Sequence, residues 1–79
     1  MNYSRPITKY LQQEPDWDRI RKICGGWVRP IKLADGRQMF VNEDGLLKGL
    51  RVNEEASRLA GTVIVGNAVV VGGVNRASS

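Results

Sequence analysis

The residues able to do chemistry in this chain are carboxylates, cations and a single thiol, because it contains no histidine and one cysteine. The stretch Asn42-Glu43-Asp44-Gly45 gathers oxygen donors in a turn. It lacks the D-x-[DN]-x-[DN]-G…E spacing of a calcium loop, so it reads as a sheet corner with Gly45 at positive φ. Glu43 with Asp44, and Glu54 with Glu55, are sequence neighbours. Neighbours on a strand or helix point in different directions, so neither pair is placed to act as opposed acid and base. The absence of histidine removes Ser-His and Cys-His nucleophile systems. Cys24 alone builds neither a zinc site nor an internal disulfide; beside Ile20 and Ile23 it reads as a small buried hydrophobe. Gly25-Gly26 and Gly72-Gly73 stand outside any phosphate-loop motif. We expect no catalysis, no metal and no cofactor.

The cations carry more information. Arg29, Lys32, Arg37, Lys48 and Arg51 all fall on or beside an expected sheet. They read either as solvated surface or as a site for a phosphate-bearing ligand or a nucleic-acid backbone. Strand parity sends Arg29 and Lys32 to opposite faces, so they form no single stripe. Trp27, Phe40 and Tyr10 are available for stacking on a base, although a small core needs aromatics too. A net charge of +4 permits an anionic partner without requiring one. The candidate binding residues are Trp27, Arg29, Lys32, Arg37, Lys48, Gly49 and Arg51. A ligand is expected beside Lys48, Gly49 and Arg51 rather than at the acids.

These residues need a scaffold, and 79 residues make one domain with a small core, for which oligomerisation is a common remedy. Residues 1–14 read as an arm or a short helix, with Ser4 as cap, Pro6 in the first turn and Ile7, Tyr10 and Leu11 on one face. Residues 15–73 form the domain, and 74–79 a flexible tail. A helix opens at Pro15 with Trp17, Ile20, Ile23 and Cys24 as its apolar stripe, acids first and bases last, and stops at Gly25-Gly26. Asp35-Gly36 predicts a two-residue type I′ hairpin. That turn sets Leu33 opposite Gln38, Ile31 opposite Phe40 and Pro30 opposite Val41. Both hairpin faces are then partly apolar, one for the helix and one for a second subunit. Pro30 marks an edge strand or a bulge.

Beyond the hairpin, Leu46 to Leu50 reads as a third short strand, with Leu46, Leu47 and Leu50 buried and Gly49 bending the chain or admitting a close approach. Asn53 reads as the N-cap of a short helix from Glu54 to Ala60, ending at Gly61. The β-branched, chargeless run from Thr62 to Gly72 reads as a buried strand, with Gly66-Asn67 as a kink in preference to a hairpin turn. The fold class is α+β: a small antiparallel sheet of three or four strands packed with one main helix and one short helix. No apolar run reaches a membrane-spanning length, and the first residues lack an apolar signal region. We therefore expect a cytoplasmic protein with no membrane partner.

Three phrases carry a resemblance: IRKICGGWVRPI (Ile20 to Ile31), VNEDGLLKGLRVNEEA (Val41 to Ala56) and VIVGNAVVVGG (Val63 to Gly73). Together they resemble an uncharacterised family of small proteins from phages, plasmids and conjugative elements. Its pattern is a hydrophobic-Gly-Gly-aromatic step, an N-E-[ED]-G-[KL]-L-x-G-L-x-x-N segment and a glycine-interrupted valine run. The chain departs from it at Cys24, at Arg51-Val52, at Asn67 and in the short link from Leu59 to Thr62. The resemblance implies an accessory protein of a mobile element acting inside a bacterial host.

The expected function is a non-catalytic, homo-oligomeric binding protein that engages or sequesters a host factor or a nucleotide-like signal, in counter-defence or regulation. A DNA- or RNA-binding accessory protein is one alternative, and a structural virion or assembly protein another. Expected partners are a second copy, a host protein or an anionic small molecule, with nucleic acid less favoured.

Overall fold

The computed structural model describes residues 5–11 and 16–72. The expected cap at Ser4, the helix opener at Pro15 and the tail 74–79 lie outside them. In chain order the elements are β1 (Thr8–Leu11), α1 (Trp17–Cys24), β2 (Val28–Lys32), β3 (Gln38–Asn42), α2 (Glu54–Ala60) and β4 (Ala68–Val71). The strands form one sheet in the order β1-β4-β3-β2. The class is α+β, as expected, with two helices. The sheet is mixed rather than antiparallel, because β1 pairs with β4 in parallel, Thr8 opposite Ala68 and Leu11 opposite Val71.

That strand stands where an arm or a short helix was expected. Its support is non-local, which is why local pattern missed it. The Ala68 N–H donates to the Ile7 carbonyl at 2.9 Å and the Ile7 N–H to Oδ1 of Asn67 at 2.9 Å. The Asn53 side chain completes the join. Its Nδ2 donates to the carbonyls of Ile7 at 3.2 Å and Gly66 at 3.0 Å, while its Oδ1 accepts from Thr8 Oγ1 at 3.2 Å and from the Ala56 N–H at 3.0 Å. The last bond is the helix cap expected of Asn53. One buried amide thus fixes β1, the start of α2 and the Gly66 corner together.

β4 is central, and all four of its residues are buried, as its chargeless β-branched sequence requires. Its two faces divide the core. On one side Val69 and Val71 join Phe40, Ile20 and Cys24 under α1. The Trp17 ring meets Phe40 edge-on, with centroids 5.0 Å apart. On the other side Ala68 and Val70 join Met39, Val41, Leu33 and Ile64 beneath Ala56 of α2. The chain therefore covers both sheet faces itself, and the case for a second subunit on an open hairpin face lapses.

The hairpin slips by one residue from the expected register. Ile31 pairs with Met39 and Pro30 with Phe40. The loop holds three residues, closed by the Leu33 N–H to the Arg37 carbonyl at 2.8 Å, with positive φ at Gly36 alone. A type I′ turn also needs positive φ at Asp35. Asp35 instead uses its carboxylate to accept from the Arg37 N–H at 3.1 Å and Arg37 Nε at 2.7 Å. Pro30 sits in β2, the outer strand, where a missing N–H costs little.

The buried strand expected from Thr62 to Gly72 shortens to Ala68–Val71, with Thr62 and Val63 exposed, and Gly66 is a corner rather than a hairpin turn. Val65 pairs with Val52 in an isolated antiparallel bridge, and the next residues turn away into β4. The segment from Leu46 to Leu50 does not form the expected third strand; residues 43–49 are consecutive turns.

Candidate functional site

The turn at residues 43–49 is bound to the body of the protein at both ends. At its start, the Glu43 N–H donates to the Trp27 carbonyl at 2.8 Å and the Asp44 N–H to Oδ1 of Asn42 at 2.7 Å. The buried Asn42 then donates through Nδ2 to the Cys24 carbonyl at the end of α1, at 3.0 Å. Within the turn, the Lys48 N–H reaches the Asp44 carbonyl at 2.9 Å, and the Leu50 N–H the Gly45 carbonyl at 3.0 Å. Lys48 Nζ ends 3.5 Å from the Gly25 carbonyl.

The two glycines of the turn have different duties. Gly49 has φ of +68° and open space around it, so it is there for its backbone conformation. Gly45 does not have the positive φ expected of it. It is buried against Val65, where a Cβ would lie 2.8 Å from Cγ2.

Anchored this way, the turn points its apolar residues outward. Leu46 is 80% exposed and Leu47 is 88% exposed, so the expectation that they bury is wrong; only Leu50 is partly covered. The reason is local. With Gly45 pressed inward and Leu50 folded back, the residues between them are the outer side of the loop. Beside them lies a groove of about 380 Å³, lined by Leu46, Leu47, Val63 and Val65, with Arg29 and the carboxylates Glu43 and Asp44 also on its walls. Val63 is itself 68% exposed. A contiguous apolar surface rimmed by charge is the usual mark of a protein contact.

The candidate residues named from sequence divide among several places. Lys48 and Gly49 belong to the turn. Trp27 is 72% exposed beside it, with the Arg21 guanidinium 5.6 Å from its ring centroid. Arg29 lines the groove. Arg51 lies in a different cavity of about 670 Å³, with Arg5, Thr8, Glu54 and Glu55. Arg37 pairs with Asp35 at the hairpin tip, and Lys32 is exposed near the same end of β2. The five cations named from sequence thus make no single phosphate-binding face. Sequence reasoning missed Leu46, Leu47 and Val63 as surface residues, because apolar type alone does not distinguish a core from a contact.

Among the described residues, three titratable groups are shifted from their ordinary values. Burial pushes the Cys24 thiol up to about 11, and Sγ donates to the Phe40 carbonyl at 3.4 Å. Tyr10 donates its hydroxyl to the Glu55 carboxylate, and that bond raises its pKa, with burial adding to the effect. The exposed Asp35 carboxyl is lowered, chiefly by the Arg37 backbone N–H. Among the described residues no group of three His, Cys, Asp or Glu side chains is placed to hold a metal, and no helix is long and apolar enough to cross a membrane. A family model described as a domain of unknown function (DUF3846) matches residues 4–79. No curated protein and no solved structure matches the chain.

Proposed function

The chain belongs to the DUF3846 family, and from the site geometry we propose that it is a non-catalytic protein-binding module whose recognition element is the leucine turn. The observation that carries this reading is the pair Leu46 and Leu47, side by side and more than three-quarters exposed on a loop held at both ends. Burying a leucine side chain contributes roughly 1.5–3 kcal/mol, so the pair offers a partner about 3–6 kcal/mol. A loop already ordered by its own hydrogen bonds loses little further entropy on binding. The acids on the groove wall oppose a phosphate backbone, which favours a protein partner over nucleic acid.

The setting we propose is the cytoplasm of a bacterial host, with the protein an accessory product of a phage or other mobile element. The support is the motif resemblance through Asn42 to Asn53. In that setting the partner is a host factor engaged in defence or regulation. The test is a capture experiment from bacterial lysate with three baits: the wild type, Leu46→Ser/Leu47→Ser, and Arg19→Ala as an exposed control on α1. The reading requires proteins retained by the wild type and the control but lost from the leucine variant. Identical captures by all three would refute it.

A further inference from the structure

Arg29, Glu43 and Asp44 line the same groove, yet none of the three makes an ion pair among the described residues. All three are exposed. The groove thus shows unpaired charges of both signs around an apolar floor, with the protruding leucines immediately beside it. A partner of one predominant charge would satisfy the groove's charges of one sign and oppose those of the other. A surface that carries its own complement matches a copy of itself. Under a two-fold axis, a residue on one copy meets its counterpart's opposite, and each contact occurs twice.

Resting on the reading of the leucine turn as a protein-binding element, we propose that this groove receives the same turn from a second copy of the chain. Leu47 of each copy seats against Val63 and Val65 of the other. Arg29 of each copy pairs with Glu43 or Asp44 across the axis. The turn and groove adjoin on one surface, so a single axis engages both at once, and nothing in the sheet need open. The sheet faces take no part, because each is already filled by a helix. A contact confined to one turn and one groove is small, which places the pairing among weak, exchanging interactions rather than obligate dimers.

The test is sedimentation of the intact chain across the micromolar to millimolar range, with charge exchange as the discriminating step. Arg29→Glu and the double variant Glu43→Arg/Asp44→Arg alter only exposed side chains, and circular dichroism checks that both fold. The wild type is expected to self-associate with rising concentration. Each charge variant alone is expected to associate at least tenfold more weakly, and an equimolar mixture of the two to recover most of the loss. A wild type that stays monomeric throughout overturns the proposal. So do variants that associate as tightly as the wild type, or a mixture that recovers nothing. A monomeric chain that still captures a host protein through Leu46 and Leu47 refutes the second copy and leaves the leucine turn's role standing.

Discussion

Gly45 lies so close to Val65 that a Cβ on the glycine would stand 2.8 Å from the valine's Cγ2. This contact locks the outward turn against the segment leading into β4, and it has a testable signature. Gly45→Ala should destabilise the fold by about 1–3 kcal/mol through overpacking. Val65→Ala removes the obstructing methyl groups, so the double variant should be more stable than the sum of the two single effects. Denaturant titration of the four proteins measures the coupling directly; strict additivity would show that the contact does not hold the turn.

Asn53 offers a sharper separation of roles. Asn53→Ala loses the α2 cap, for about 1 kcal/mol, and strands a buried carbonyl at Gly66. The combined loss should be roughly 2–4 kcal/mol. Asn53→Asp still supplies a capping oxygen, but sets a second acceptor against the carbonyls of Ile7 and Gly66. It should therefore also destabilise at neutral pH. A fully stable Asp variant, measured by its unfolding midpoint, would reduce Asn53 to a helix cap.

Leu46 and Leu47 should behave in the opposite way. Exposed as they are, their replacement by serine should change unfolding free energy by no more than about 0.5 kcal/mol. A thermal or denaturant scan of Leu46→Ser/Leu47→Ser checks this, and a large loss of stability would mean that these side chains serve the fold.

The Cys24 thiol gives a pH dependence. Its folded pKa of about 11 stands above an ordinary 9.0 because burial disfavours the thiolate. Between those values the unfolded chain releases a proton that the folded chain keeps. The stabilisation is complete below pH 9 and is lost as pH rises toward 11, on the order of 2 kcal/mol in all. Cys24→Ala should flatten that part of the stability curve. In the native protein at pH 8, disulfide-exchange reagents should react with Cys24 only as fast as the fold opens.

The parts of this fold written in short sequence windows were legible. Asn53, Gly61 and Gly25 mark helix ends through bonds to residues within one turn, and the buried β4 is declared by its own composition. The parts decided at a distance were not. Thr8–Leu11 becomes a strand because β4 offers it an edge some sixty residues away. The hairpin register moved because Asp35 found a side-chain bond in preference to the backbone conformation its dipeptide favours. Of the candidate residues, Lys48 and Gly49 lie in the turn, whereas Arg37 lies at the hairpin tip and Arg51 in a separate cavity. Leu46 and Leu47 were misjudged for a physical reason. The same apolar surface that fills a core also fills a partner's pocket, and only the position of Gly45 and Leu50 decides which way it points.

A recognition element built on the leucine turn requires Leu47 to touch a protein partner. The most direct measurement places a photo-reactive diazirine analogue of leucine at position 47, with the same analogue at Arg19 as control, and irradiates the chain in bacterial cytoplasm. Discrete cross-linked protein adducts are expected from position 47 and none from position 19. Absence of adducts at position 47, or the same adducts from both positions, would contradict that role for the turn.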